Sequence, residues 1–282
     1  MLTRYAALVS ETDQVPFSQL AEIASALQKQ ATRDFAPIWQ ISATISVFQS
    51  LQQVPSDYWP IIIRDDIDQP GAAGYHTDSS GQPYALVQAS ENVSLTCSHE
   101  LMEMLGDPFG NRLVAADSLK AGQGRVNYLV EVCDPSEGEQ FAYSINGIRV
   151  SDFYTPNFFD PVLAPSVRYS FTGCIRKPRQ ILEGGYISWM IPATREWWQA
   201  FVRDGAMTFR SLGILERNGR SWRETVDTLT FEPLAKLMGG RIGHEKMLAA
   251  SFAAPSSLEA NSGRADQIHR DIDKLLSGLP GK

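Results

Sequence analysis

The run Val93 to Leu105 restricts this chain more than any other segment, because it reads as a helix that carries three chemically active side chains into apolar surroundings. His99, Glu100 and Glu103 stand among Leu95, Cys97, Leu101, Met102, Met104 and Leu105. Ser90-Glu91-Asn92 offers N-cap residue types ahead of the run, and Gly106 and Pro108 stop it. His99 and Glu103 are four residues apart, so they share one face one turn apart, with Thr96 and Glu100 flanking them. The apolar remainder predicts that the helix is largely buried. Burying an imidazole and two carboxylates without partners is costly. A bound cation removes that cost, and this is the physical argument for a metal.

The surrounding pattern places that helix in an α+β layer arrangement. Arg4 to Val9 alternates as a strand, and Pro16 to Ala31 has Phe17, Leu20, Ile23, Leu27 and Ala31 at helical spacing. Ile38 to Phe48 and Trp59 to Arg64 are rich in β-branched residues and predict strands. A loop over Asp65 to Gly71 follows, then a strand over Pro83 to Ala89 that leads into the His99 helix. Downstream, Tyr128 to Val132 predicts a short strand running into Glu131-Val132-Cys133-Asp134. Phe141 to Val150 predicts a hairpin, since Asn146-Gly147 suits a type I′ turn. Arg168 to Ile175 and Tyr186 to Ile191 predict further strands, and Thr194 to Arg203, with Trp197-Trp198, a helix. The expected division is one domain over 1–235, with parts 1–110 and 111–235, then a linker and an amphipathic helix in 236–282. Within that tail Ile268, Ile272, Leu275, Leu276 and Leu279 supply the helical spacing.

Charge and composition narrow the function classes. A net charge of −7 argues against nucleic-acid binding, which needs a basic surface to neutralise phosphates. No window approaches the ~18 apolar residues of a membrane span. The N-terminal segment meets Glu11 and Asp13 without a long apolar region, which is not the pattern of a signal peptide. Cys97, Cys133 and Cys174 are too few for a disulfide framework. The expectation is a cytoplasmic protein, with export lacking a cleaved signal as the alternative. Cys97 and Cys133 read as buried thiols, His76 as an ordinary loop or packed histidine, and Asp65, Asp66 and Asp68 as loop carboxylates. His244 and His269 read as a loop and a polar helical face.

In the H-E-x-x-H helix two histidines bind zinc and the glutamate is the general base. Here the motif is His99-Glu100-x-x-Glu103, followed by Asp107-Pro108 and then Glu131-x-x-Asp134. This arrangement resembles the gluzincin type of zincin metallopeptidase. Over His99 to Asp134 it is also similar to Exordium/phosphate-induced proteins and to bacterial zincin-like proteins. The resemblance implies a zincin-like fold, a mixed sheet packed on helices with the metal-site helix central. It implies His99 as metal ligand, Glu100 as general base, Glu131 as downstream ligand and Asp134 as the group that orients a ligand. Glu103 stands at the second-histidine position, and Asp107 is a further ligand candidate. Zincins pair an extended peptide with the edge of a strand before the active helix, a place that Pro83 to Ala89 occupies. Tyr154 and Tyr186 are candidates to donate a hydrogen bond to a tetrahedral intermediate.

The implied activity is hydrolysis of a peptide or protein substrate by a metal-activated water, with Glu100 taking the proton. One histidine with two carboxylates leaves the metal less positive than two histidines do. The expected ion is therefore zinc with slower hydrolysis, or a harder ion such as Mn or Ca. A non-catalytic protein that keeps the fold and a structural cation is the alternative, and an interaction protein in which the site is merely a polar cluster is the third.

Overall fold

The computed structural model describes residues 2–69 and 71–238, with 231–238 described by backbone alone. The chain opens with β1 (Leu2–Ser10) and α1 (Phe17–Lys29), whose apolar spacing buries Leu20, Ile23 and Leu27. The helix continues through a π-helical stretch, Gln30–Phe35, into a short α2 (Ala36–Trp39). Gln40 then takes φ 60, a left-handed turn, before β2 (Ile41–Phe48). The strand expected from Ile38 therefore starts at Ile41. Ile38 and Trp39 complete the helix, where Trp39 donates its indole N–H to the Tyr154 carbonyl at 3.0 Å.

β3 (Tyr58–Arg64), β4 (Gly74–Ser79) and β5 (Gln82–Gln88) complete a sheet of order β2-β1-β3-β5-β4. Its pairs are parallel except β4 against β5, so the sheet is mixed. Ala6, Leu8, Ile61, Ile63, Ala85 and Val87 join the main core with α1. Ala7, Val9, Ile62 and Leu86 face the other way, under Leu51, Val54, Ile67 and Ala72. Both faces are buried, which is why Ile61-Ile62-Ile63 is apolar without alternation. The outer edge of β2 is met by Gln28 of α1. Its amide N–H donates to the Ala43 carbonyl at 2.9 Å, and its oxygen accepts the Ile45 N–H at 2.8 Å. The outer edge of β4 carries no further strand among the described residues.

α3 (Val93–Gly106) carries the His99 motif and packs against β4, β5, α1 and a later hairpin strand. Buried hydrogen bonds hold it in place. Ser98 Oγ donates to Gln30 Oε1 at 2.7 Å and accepts the Ser151 N–H at 2.8 Å, while Gln30 Nε2 donates to the Ser151 carbonyl.

β6 (Leu113–Asp117) and β7 (Arg125–Leu129) are followed by the hairpin β8 (Tyr143–Ile145) and β9 (Ile148–Val150). Asn146 and Gly147 have φ 54 and 83, the positive pair that a type I′ turn needs. β10 (Tyr186–Met190), β11 (Glu196–Arg203) and β12 (Ala206–Ile214) build an antiparallel second sheet of order β12-β11-β10-β7-β6. α4 (Trp222–Met238) closes the described chain. One core cluster runs through both sheets, from Ala6 to Ala200, so the protein is α+β with a shared interior. Among the described residues no helix is long and apolar enough to cross a membrane.

Three expectations fail. Thr194 to Arg203 is not a helix: β11 occupies it, paired on both sides. A bulge lies between Trp197 and Trp198, with Trp197 fully buried, so two adjacent tryptophans serve a sheet rather than a helical face. Arg168 to Ile175 makes only one bridge, Ser170 with Tyr154. His76 lies on β4 rather than in a loop, although its buried side chain agrees with the packed histidine that is the other part of the reading. The expected linker and helix of 236–282, with His244 and His269, lie outside the described residues beyond Met238.

Candidate metal centre

The site forms where α3 is crossed by the chain leaving β7. Gly106 makes that crossing possible: a Cβ there would meet Val132 Cγ1 at 2.8 Å. Val132 can therefore lie against the helix and carry Glu131, Cys133 and Asp134 past it. Cys133 donates its backbone N–H to Glu103 Oε1 at 2.7 Å, which fastens the crossing segment to the helix. Asp134 opens a 3-10 turn, Asp134–Ser136, that backs onto Gly185.

His99 Nε2 lies 3.0 Å from Asp134 Oδ1 and 3.9 Å from Glu103 Oε1. The three side chains each present one ligand atom, all within 4.8 Å of one another. Bonds of 2.0–2.2 Å at tetrahedral angles put ligand atoms roughly 3.3 Å apart, a spacing that these two distances bracket. The donor set also suits a cation. Both oxygens of Glu131 and both of Asp134 are buried and receive no well-aligned hydrogen bond, and the Tyr154 hydroxyl lacks one too. His99 keeps 15% of its side chain exposed, so the triad is not sealed.

Among the described residues one permanent cation reaches the cluster. Arg223 of α4 donates from Nη1 to Glu103 Oε2 at 2.8 Å, and its Nε lies 3.4 Å from Asp227 Oδ2. Four buried carboxylates (Glu103, Glu131, Asp134 and Asp227) act on that single guanidinium. The excess of negative charge shows in the titration of the metal-free site. Burial, and then the charge of Asp134, push Glu103 up to about 8 and Glu131 well above the ordinary range. Burial likewise pushes Asp227 up to about 7, although Arg223 pulls against it. Burial disfavours charge on His99, but the adjoining Asp134, Glu100 and Glu103 outweigh it and push the ring up to about 10. Asp134 resists its burial, because His99 and Arg223 hold it below the usual carboxylate range. Without a metal, protons supply the positive charge that the cluster lacks.

Glu100 faces a different neighbour. His76 Nε2 donates to the Asp107 carbonyl at 3.0 Å, which leaves Nδ1 as an acceptor 3.5 Å from Glu100 Oε2. Burial, and then Arg223, hold the His76 ring below its ordinary value, so it is neutral. Gly74 of β4 lies over the pair: a Cβ there would meet Thr96 Cγ2 at 2.7 Å and Glu100 Oε1 at 3.0 Å. Glu100 therefore sits between the metal triad and the open edge strand.

Most of the residues singled out from sequence converge here, with changed parts. His99 and Glu103 are in the triad. Asp134, expected to orient a ligand, is the third member, while Glu131, expected as a ligand, stands beside the triad. Asp107 is not part of it: its carboxylate accepts the Arg112 N–H at 2.6 Å and closes the turn after α3. Tyr154 and Tyr186 are both buried against the acids, Tyr154 near Glu103 and Glu131, Tyr186 near Asp134 and Glu137. The thiols of Cys97 and Cys133 are buried and pushed up by burial, so they are neutral and outside the triad. The peptide-edge role expected of Pro83 to Ala89 is corrected: β5 lies inside the sheet between β3 and β4, and β4 is the edge. His76, Arg223 and Asp227 were missed. Ser221-Trp222-Arg223-Glu224 has the form of a capping box, a signal that would have opened a helix there.

No protein-family model and no curated protein matches the chain. The class of the molecule thus rests on its own structure: an α+β protein in which His99, Glu103 and Asp134 form a cluster, within 4.8 Å, that could hold a metal ion.

Proposed function

We propose that this chain is a metal-dependent peptidase of zincin-like type, with the cation held by His99, Glu103 and Asp134 and with Glu131 as a further carboxylate acting on Glu103 and Asp134. The observation that carries the reading is the triad itself, two residues from one helix turn and a third from a crossing segment, within 4.8 Å. When bound, a divalent cation polarises a carbonyl and makes water a stronger acid. Zinc suits the imidazole, and manganese or calcium the carboxylates. Glu100 is the general base, and the lone pair on His76 Nδ1 can share the proton that Glu100 takes up. An extended peptide added to the edge of β4 would lie beside Glu100, through Gly74. Tyr154 and Tyr186 would donate to an oxyanion only if a substrate reaches past the acids, so they come second to Glu100.

A non-catalytic protein with a structural cation is the second reading, favoured by the engagement of both Glu103 oxygens, one by Cys133 N–H and one by Arg223. The experiment has two stages. Purified protein should carry about one equivalent of metal, and a chelator should lower its Tm. Glu100→Gln should keep the metal and lose about 100-fold or more in cleavage of a broad peptide library. Equal inactivity of wild type and variant with equal metal content would leave the structural cation, and no metal with no chelator effect would remove both readings.

A further inference from the structure

We infer that Arg223 is an internal counter-cation of the metal site, which occupies Glu103 Oε2 and shares with the metal the neutralisation of one carboxylate cluster. The inference rests on the metal reading above and assigns a role to a residue 120 positions away from Glu103.

The placement of Arg223 is not a helix preference. It stands in the first turn of α4, where the helix dipole disfavours a positive charge. It is nonetheless held there tightly. Its backbone N–H donates to the Gly110 carbonyl at 3.0 Å, and a Cβ on Gly110 would meet Arg223 Cβ at 2.8 Å. Ser221 Oγ caps the same turn by accepting the Glu224 N–H at 3.0 Å. The guanidinium is thus seated by backbone contacts and aimed at Glu103 Oε2, with Asp227 one turn on as its second partner.

The consequence for Glu103 is geometric. With Oε2 committed to Arg223, only Oε1 faces His99 and Asp134, so Glu103 offers the cation one oxygen rather than two. The consequence for charge follows by counting. In the deprotonated state that metal binding requires, with His99 neutral, these four carboxylates against one guanidinium leave three negative charges. A divalent ion reduces that to one. Arg223 and the metal therefore neutralise overlapping carboxylates, and the loss of either raises the demand for the other. A residue that served packing alone would have no such coupling.

The test is the metal-induced rise in Tm, measured with Zn2+ and with Mn2+ against a chelated control, for the wild type, Arg223→Met and Arg223→Lys. The Met variant should melt lower without metal. Its metal-induced rise should exceed that of the wild type by roughly 2–4 °C or more. The Lys variant keeps the charge and should return the rise to the wild-type value. A rise in the Met variant equal to or smaller than the wild type's would overturn the inference. If the Met variant does not fold in chelator, refolding with metal decides the matter: recovery supports the coupling, and failure to recover overturns it. A wild type with no rise at all removes the metal reading and this inference together.

Discussion

At the scale of single residues, the site depends on how closely backbone can approach backbone, and Gly185 is the clearest case. A Cβ there would meet the Pro135 carbonyl oxygen at 2.6 Å and the Asp134 carbonyl oxygen at 2.7 Å. Those atoms belong to the turn that presents Asp134 to His99, and backbone cannot swing aside as a side chain can. Gly185→Ala should cost about 1–3 kcal/mol of stability and weaken metal binding as Asp134 is displaced. Isothermal titration with Mn2+ beside a urea melt would check this. Unchanged affinity would mean that Asp134 is not a ligand. Residue identity was partly legible in the sequence. The i, i+4 pair His99 and Glu103 followed from helical spacing alone, because a helix fixes which side chains share a face. Glu131 and Asp134 followed as a pair, but their roles did not. Which of two acids three residues apart turns toward a helix depends on the path of the crossing chain, here set by Gly106 against Val132. Asp107 failed for a similar reason: past a helix end, spacing no longer fixes direction, and its carboxylate closes onto the Arg112 amide.

At the scale of elements, α3 keeps its position through a short polar chain inside the core. Ser98→Ala removes the acceptor for the Ser151 N–H and the donor to Gln30 Oε1. Both partners are buried, so the expected loss is about 1–3 kcal/mol for each group left unsatisfied. Urea denaturation of the metal-free protein should show it, with little change in m. A loss below about 0.5 kcal/mol would mean that water restores both bonds. Elements with a clear local signature were legible: α1 from its helical spacing, β1 from alternation, and β3 and β5 from apolar, β-branched runs. The type I′ hairpin followed from Asn146-Gly147, whose positive φ values few other pairs tolerate. β11 was misread because Trp197-Trp198 fits a helix face as well as a strand, and the pairing that decides it comes from β10 and β12. β4 carried no local signal, as Gly74 to Ser79 is mostly polar and small and is made a strand by its partner β5.

At the scale of the whole molecule, the acid cluster sets how stability responds to pH. In the metal-free protein Glu103 at about 8 and Asp227 at about 7 stand above their ordinary values, so folding takes up protons. The stability they contribute is complete below about pH 4 and is lost as pH rises through about 7 to 8. His99, raised to about 10, has the same sign, with its contribution present below about 6.5 and lost as pH climbs through 10. Asp134 has the opposite sign and matters only on acidification. In chelator, Tm should therefore fall from about pH 6 to 8.5. The gain from added metal should grow over the same interval, since ligands must shed protons to bind. A chelated Tm that is flat or rising across that range would contradict the charge account.

The two margins of the first sheet differ, and the difference gives the molecule a direction. On the β2 side the Gln28 side chain acts as a strand one residue long, taking up one carbonyl and one amide that another chain would need. The β4 side has no such stopper among the described residues. Any extended polypeptide that joins this sheet therefore meets one margin that is partly blocked and one that, among the described residues, carries no further strand. The second margin is the strand whose Gly74 packs against Glu100.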